Sequence, residues 1–184
     1  MIKDIDFITV FKEIIENIKT NYLNYRFFTE RDFEWTIQKY LWSYIDKNHL
    51  PFDVYNNHPF GQRTFVDLAI VKKGTPYRAI SKSKATAELV VEFKFEPSIK
   101  RTDICKGKLD SPVVLWDEVI KDIDRVNRLI KDGKTKSAIA FFVDEYGRFR
   151  NRNISKQSKW DDWGNYGNEL YNTSILWTIA EYLT

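Results

Sequence analysis

Apolar residues at Phe7, Ile8, Phe11, Ile14, Ile15 and Ile18 recur with the spacing of one helical face and predict a helix over 6–19. Lys12, Glu13, Glu16 and Lys19 fall on its outer side and read as solvated. After a loop over 20–28, Thr29 with Asp32 three positions on resembles a capping box in which Asp replaces Glu. The helix it opens, over 30–46, would bury Phe33, Ile37, Tyr40, Leu41 and Tyr44. At 3.6 residues per turn Glu30 falls near the centre of that apolar face and Glu34 at its margin. Taken alone, Glu30 is also accounted for by the helix dipole, which favours a carboxylate in the first turn.

The period then shortens. Pro51 and the run Asn56-Asn57-His58-Pro59-Phe60-Gly61 carry turn chemistry, and a strand is expected over 63–71. On that strand Val66, Leu68 and Ile70 make one face, while Asp67 lies on the other with Phe65, Ala69 and Val71. A buried carboxylate in that position needs a proton, a partner or a metal. The run 87–95 alternates again, with Leu89, Val91, Phe93 and Phe95 on one side and Glu88, Val90, Glu92 and Lys94 on the other. An isolated Glu-x-Lys is ordinarily a weak surface pair. Its meaning depends on whether other carboxylates converge on it.

Residues 98–110 are polar, and Ser111-Pro112 predicts the cap and first position of a helix running through Trp116, Val119, Ile123, Val126 and Ile130 to Gly133. Its face of Lys121, Asp122, Asp124, Arg125 and Arg128 is expected in solvent. The apolar run 137–143 predicts a strand covered on both faces. A loop over 148–160 and a closing helix over 169–183, packing Leu170, Leu176, Ile179 and Leu183, complete an α/β chain read as one domain over 1–184.

Composition changes this picture little. The chain has 184 residues, enough to bury a sizeable core, and its 6 Trp, 10 Tyr and 13 Phe against 7 Gly and 5 Pro exclude a disordered or fibrous class. Cys105 is the sole cysteine, so neither an internal disulfide nor a Cys/His zinc site is expected. No apolar run reaches membrane-spanning length and the first residues lack a leader pattern, so the expected location is cytoplasmic. With 29 basic and 26 acidic residues the net charge of +3 says nothing about nucleic acid. Its distribution says more. Lys72, Lys73, Arg78, Lys82 and Lys84 lie in one acid-free segment, and Arg148, Arg150, Arg152, Lys156 and Lys159 in another. The second is interleaved with Phe149 and flanked by Tyr146 and Trp160, which suits contacts to phosphate with stacking on bases.

Acids on a helix and two strands, with a lysine two residues after the last, are what metal-assisted phosphodiester hydrolysis requires. Val66-Asp67 and Glu92-Phe93-Lys94, preceded by Glu30 or Glu34 and followed by a crossover helix and an apolar strand, resemble the PD-(D/E)XK nuclease superfamily. Val66 stands where the family name has proline, and the distance from Asp67 to Glu92 calls for an inserted hairpin. The resemblance implies a restriction-endonuclease-like core with a mixed central sheet flanked by helices. It further implies Mg²⁺, with Mn²⁺ as substitute, held by Asp67 and Glu92. Lys94 would be the catalytic lysine, and either Glu30 or Glu34 the ancillary carboxylate. DNA would be the substrate of an endonuclease, and cutting both strands would favour a homodimer. Two alternatives stand beside it. One is an inactive nuclease-like domain that binds DNA or a protein partner, with Glu92 and Lys94 as a structural ion pair. The other is an unrelated α/β domain whose acids never meet.

Overall fold

The computed structural model describes residues 5–25, 27–61, 63–100, 113–166 and 171–181. Helix α1, Phe7–Thr20, begins at Asp6, whose carboxylate accepts from the Ile8 and Thr9 backbone N–H at 2.9 and 3.2 Å. Helix α2, Glu30–Lys47, starts at the expected cap, the Asp32 carboxylate accepting from the Thr29 N–H at 2.8 Å. Three strands follow: β1 (Phe52–Gly61), β2 (Thr64–Lys72) and β3 (Ala87–Glu96). Helix α3 (Trp116–Lys131) then crosses to β4 (Thr135–Asp144), and β5 (Ser158–Tyr166) and β6 (Tyr171–Glu181) end the described chain.

The strands form one six-stranded mixed sheet of order β1-β2-β3-β4-β6-β5, in which only β3 and β4 run parallel. A parallel pair needs a crossover, and α3 supplies it. One core packs α1 and α2 on the sheet through Phe11, Ile15, Phe33, Leu41, Leu89, Val91, Phe93 and Phe141. The other packs α3 on the opposite face through Val119, Ile123, Val126, Val90, Ala138 and Phe142. The protein is thus a three-layer α/β structure with three helices on a mixed sheet, and among the described residues no helix is long and apolar enough to cross a membrane.

Several expectations are corrected. The segment 52–61 is an edge strand paired along β2, with Val54 buried under α1 and α2 and Phe60 under α3, and Pro59 is tolerated where one side of the strand has no neighbour. The expected closing helix is strand β6: Thr173, Ile175, Trp177 and Ile179 alternate with Ser174, Leu176, Thr178 and Ala180, a β-branched and aromatic pattern that pairs along β4. Leu170 and Leu183 lie outside the described residues, as do Cys105 and the expected cap Ser111-Pro112. Helix α3 begins at Trp116 instead, where the Glu118 carboxylate accepts from the Leu115 N–H at 3.3 Å. Residues 158–160 of the expected loop belong to strand β5, which pairs with β6. The connection 73–86 contains turns and no paired strand.

Candidate functional site

Strand β2 pairs with β3 only at Leu68↔Val91, Ala69↔Val90 and Ile70↔Leu89, so the two strands part at Asp67. The strict alternation expected of β2 breaks there as well. Leu68 and Ile70 join the core under α1 and α2, whereas Val66 joins the core under α3. At the parting, an Asp67 carboxylate oxygen accepts from the Phe93 backbone N–H at 2.8 Å, replacing the lost ladder bond. Helix α2 delivers Glu30 and Glu34, one turn apart, to the same opening. One carboxylate oxygen from each of Glu30, Glu34 and Asp67 lies within 4.8 Å of the other two, close enough to share a cation.

Lys94 enters from β3. Its ammonium lies 3.2 Å from a Glu30 oxygen, 3.1 Å from Asp122 on α3, and donates to the Phe93 carbonyl at 2.8 Å. Glu92, two residues back on the same strand face, is almost fully buried. One of its oxygens accepts from Arg125 of α3 at 2.6 Å; the other has no hydrogen-bond partner. Arg125 also lies 3.4 Å from Asp122. Five carboxyls therefore meet two cations. All five expected catalytic residues reach this opening, but the three that share a cation-sized space are Glu30, Glu34 and Asp67. Both helical glutamates, and not one of the two, lie in that space. Glu92 is turned toward α3.

The excess of acid shows in the proton affinities. Burial pushes the Glu30 carboxyl up to about 7, against the pull of Lys94 and with the push of Asp67. Burial, then Asp67 and Glu30, carry Glu34 to about 7. Glu92 reaches about 9, through burial first and Asp67 second, in spite of Arg125. Burial raises Asp122 too, opposed by Lys94 and Arg125. Desolvation works against the Lys94 ammonium, yet Asp122, Glu30 and Asp67 outweigh it and keep the lysine charged. Such a donor set suits a hard divalent cation, which replaces protons on crowded carboxylates.

Asp122 and Arg125 were expected in solvent. Asp122 is buried, and at 3.6 residues per turn it falls between Val126 and Leu129, inside the apolar arc of its own helix. Placing each polar residue on that wheel finds it. Arg125, at the margin of the arc, carries a weaker signal.

The basic segments part company. Lys72, Lys73, Arg78, Lys82 and Lys84 are exposed and line a cleft of about 550 Å³ with no acid among its lining residues. Lys72 lies five residues along β2 from Asp67, roughly 16 Å at strand rise. Of the second segment, Arg148 turns inward to Glu96 at 3.2 Å, and Arg150 pairs with Asp162 at 3.2 Å and with the Ser174 hydroxyl. Phe149, expected to meet bases, is buried and stacks on Trp116 with ring centroids 5.7 Å apart. Arg152, Lys156 and Lys159 remain exposed. No protein-family model, curated protein or solved structure matches the chain.

Proposed function

We propose that the protein is a divalent-metal-dependent DNA endonuclease with a restriction-endonuclease-like core. The observation that carries this is the convergence of Glu30, Glu34 and Asp67 with Lys94 of the Glu-x-Lys strand at the parting of β2 and β3. Helix, Asp strand, Glu-x-Lys strand, crossover helix and apolar strand follow in the order that the PD-(D/E)XK resemblance implies. Mg²⁺ held by the three carboxylates would supply Lewis acidity, lowering the pKa of a bound water and offsetting charge on the phosphate. Lys94, kept charged and tethered to Glu30, holds the attacking water or neutralises the developing negative charge. The exposed cations at 72–84 and at Arg152, Lys156 and Lys159 hold the backbone.

Plasmid, linear and branched DNA incubated with Mg²⁺ or Mn²⁺ provide the test. Cleavage by the wild type, lost by at least about a hundredfold in Lys94→Ala while the circular dichroism spectrum is kept, is expected. Equal cleavage by the two proteins would sink the proposal.

One observation favours a second reading, a domain that binds without cutting: Arg125 occupies an oxygen of Glu92, an acid that the family resemblance assigns to the metal. In that case the cluster is a structural ion-pair network. Mn²⁺ soaked into crystals would then leave no density between Glu30, Glu34 and Asp67.

A further inference from the structure

Outside the acid cluster, the least economical feature of the surface is on α2. Trp35 and Trp42 are 58% and 57% exposed, although each could bury a large apolar area. They stand seven residues apart, two helical turns or about 10 Å, on one stripe. Arg31 and Lys39 share that stripe, both exposed, in the order Arg31, Trp35, Lys39, Trp42. The Trp42 indole N–H donates to the Val54 carbonyl at 3.2 Å, which ties down its polar edge and leaves mainly ring carbon outward. Arg31 and Glu34 are i,i+3 neighbours, so the stripe runs directly alongside the glutamates of the candidate site. Exposed Asp46 lies beyond Trp42 and bounds it at the far end.

We infer that this stripe is a platform for single-stranded nucleic acid, with phosphates on Arg31 and Lys39 and unpaired bases on Trp35 and Trp42. Cations alternating with tryptophans match a polyanion whose repeating unit also has a flat apolar face. Bases inside a duplex have both faces covered by their neighbours, so only an unpaired strand can use both rings. A protein partner fits less well, since lysine is depleted from the core of a protein interface and Lys39 stands between the two rings. The inference rests on the proposed function for the direction of the strand, toward Glu34 and Glu30, but not for binding itself.

The test is fluorescence anisotropy of labelled oligothymidine and oligouridine, a labelled duplex and labelled heparin, all in EDTA so that no cleavage occurs. Trp35→Ala and Trp42→Ala should each weaken binding of the single strands about tenfold, leave duplex and heparin unchanged, and keep the circular dichroism spectrum. A preference between the two oligomers identifies DNA or RNA as the natural strand. Unchanged affinity for both in the double variant overturns the inference. So does a double variant that sediments as a smaller species than the wild type with no change in oligomer affinity, which would make the stripe a protein interface. Single strands that bind through the tryptophans but are never cut with Mg²⁺ or Mn²⁺ defeat the nuclease proposal alone. Unchanged affinity for both single strands in a double variant, with DNA still cut by the wild type, defeats the platform alone.

Discussion

Two groups of carboxyls flank the middle of the sheet, one buried at the ends of β3 and β4 and the other half-buried between α2 and β2, and they are built on different principles. Glu96, Asp144 and Glu145, at the ends of these parallel strands, each face hydrogen-bond donors. Glu96 accepts from the Val114 N–H at 2.8 Å and pairs with Arg148. Asp144 accepts from the Phe149 N–H at 2.7 Å, and Glu145 from the Tyr22 hydroxyl at 2.7 Å and the Ser98 N–H at 2.9 Å. These acids hold loops in place. Glu30, Glu34 and Asp67 instead crowd one another, with Lys94 reaching Glu30 and the Phe93 N–H reaching Asp67. Burial alone therefore does not tell the two groups apart; what each carboxylate faces does.

The largest expected effect comes from breaking the loop-holding group. Asp144→Ala removes a fully buried acceptor and strands the Phe149 N–H, at a cost of about 3 kcal/mol. Thermal denaturation should show that loss in equal measure with and without Mg²⁺. A loss that Mg²⁺ repairs would place Asp144 with the other group and dissolve the contrast.

Next in size is the response of the cation-facing group to pH. Glu30 and Glu34 bind protons more tightly folded, near 7, than at their ordinary 4.5. Between those values the folded state holds more protons than the unfolded one, so the stability these groups contribute is complete below about 4.5 and is lost as pH rises through about 7. With solvent screening the loss is on the order of 2 kcal/mol. Burial raises Glu96 and Asp144 as well, so pH alone does not separate the groups. The cation does. Mg²⁺ at pH 8 should recover much of the loss and at pH 5 almost none, which melting curves at the two values with and without Mg²⁺ will show.

How much of this is legible in the sequence follows from the range of the interactions. Helices α1 and α2 and strands β2, β3 and β4 follow from local periodicity and caps, and so does the inward turn of Glu30. Strands β1, β5 and β6 were misread because their stability comes from pairing with distant partners. His58-Pro59 carries turn chemistry yet sits in a strand, since β2 offers Val66 and Phe65 as partners. Asp67, Glu92 and Lys94 were visible as a spacing. Asp122 is marked by its place inside the apolar arc of α3, but its partner and that of Arg125 are not, because an ion pair from a helix to a strand about thirty residues away is not local. Nor could spacing show that Arg148 and Phe149 turn inward, which depends on Glu96 and Trp116 being there to receive them.

Glu34→Gln should have a smaller and opposite effect from Asp144→Ala. It relieves repulsion with Asp67 and Glu30, and should raise stability at pH 8 by about 1 kcal/mol in the absence of a cation. Calorimetric titration with Mn²⁺ should show weaker binding in the same protein. Stabilisation with unchanged Mn²⁺ binding would mean that the three acids crowd without serving a metal.

The smallest effect is expected at the boundary between the groups, in Arg125→Gln. Glu92 looks like a charged partner of Arg125, and removing one member of a charged buried pair costs about 3–5 kcal/mol. Yet its carboxyl is pushed up to about 9 with Arg125 in place, so below neutral pH the pair is a hydrogen bond from arginine to a protonated acid. Its removal should then cost only about 0.5 kcal/mol at pH 6 and more at pH 9, where the arginine no longer favours the ionised form that the wild type begins to populate. A cost of several kcal/mol already at pH 6 would place Glu92 with the loop-holding acids as a charged structural partner of α3. A small cost, with Mn²⁺ binding tightened because Glu92 is released, would place it with Glu30, Glu34 and Asp67.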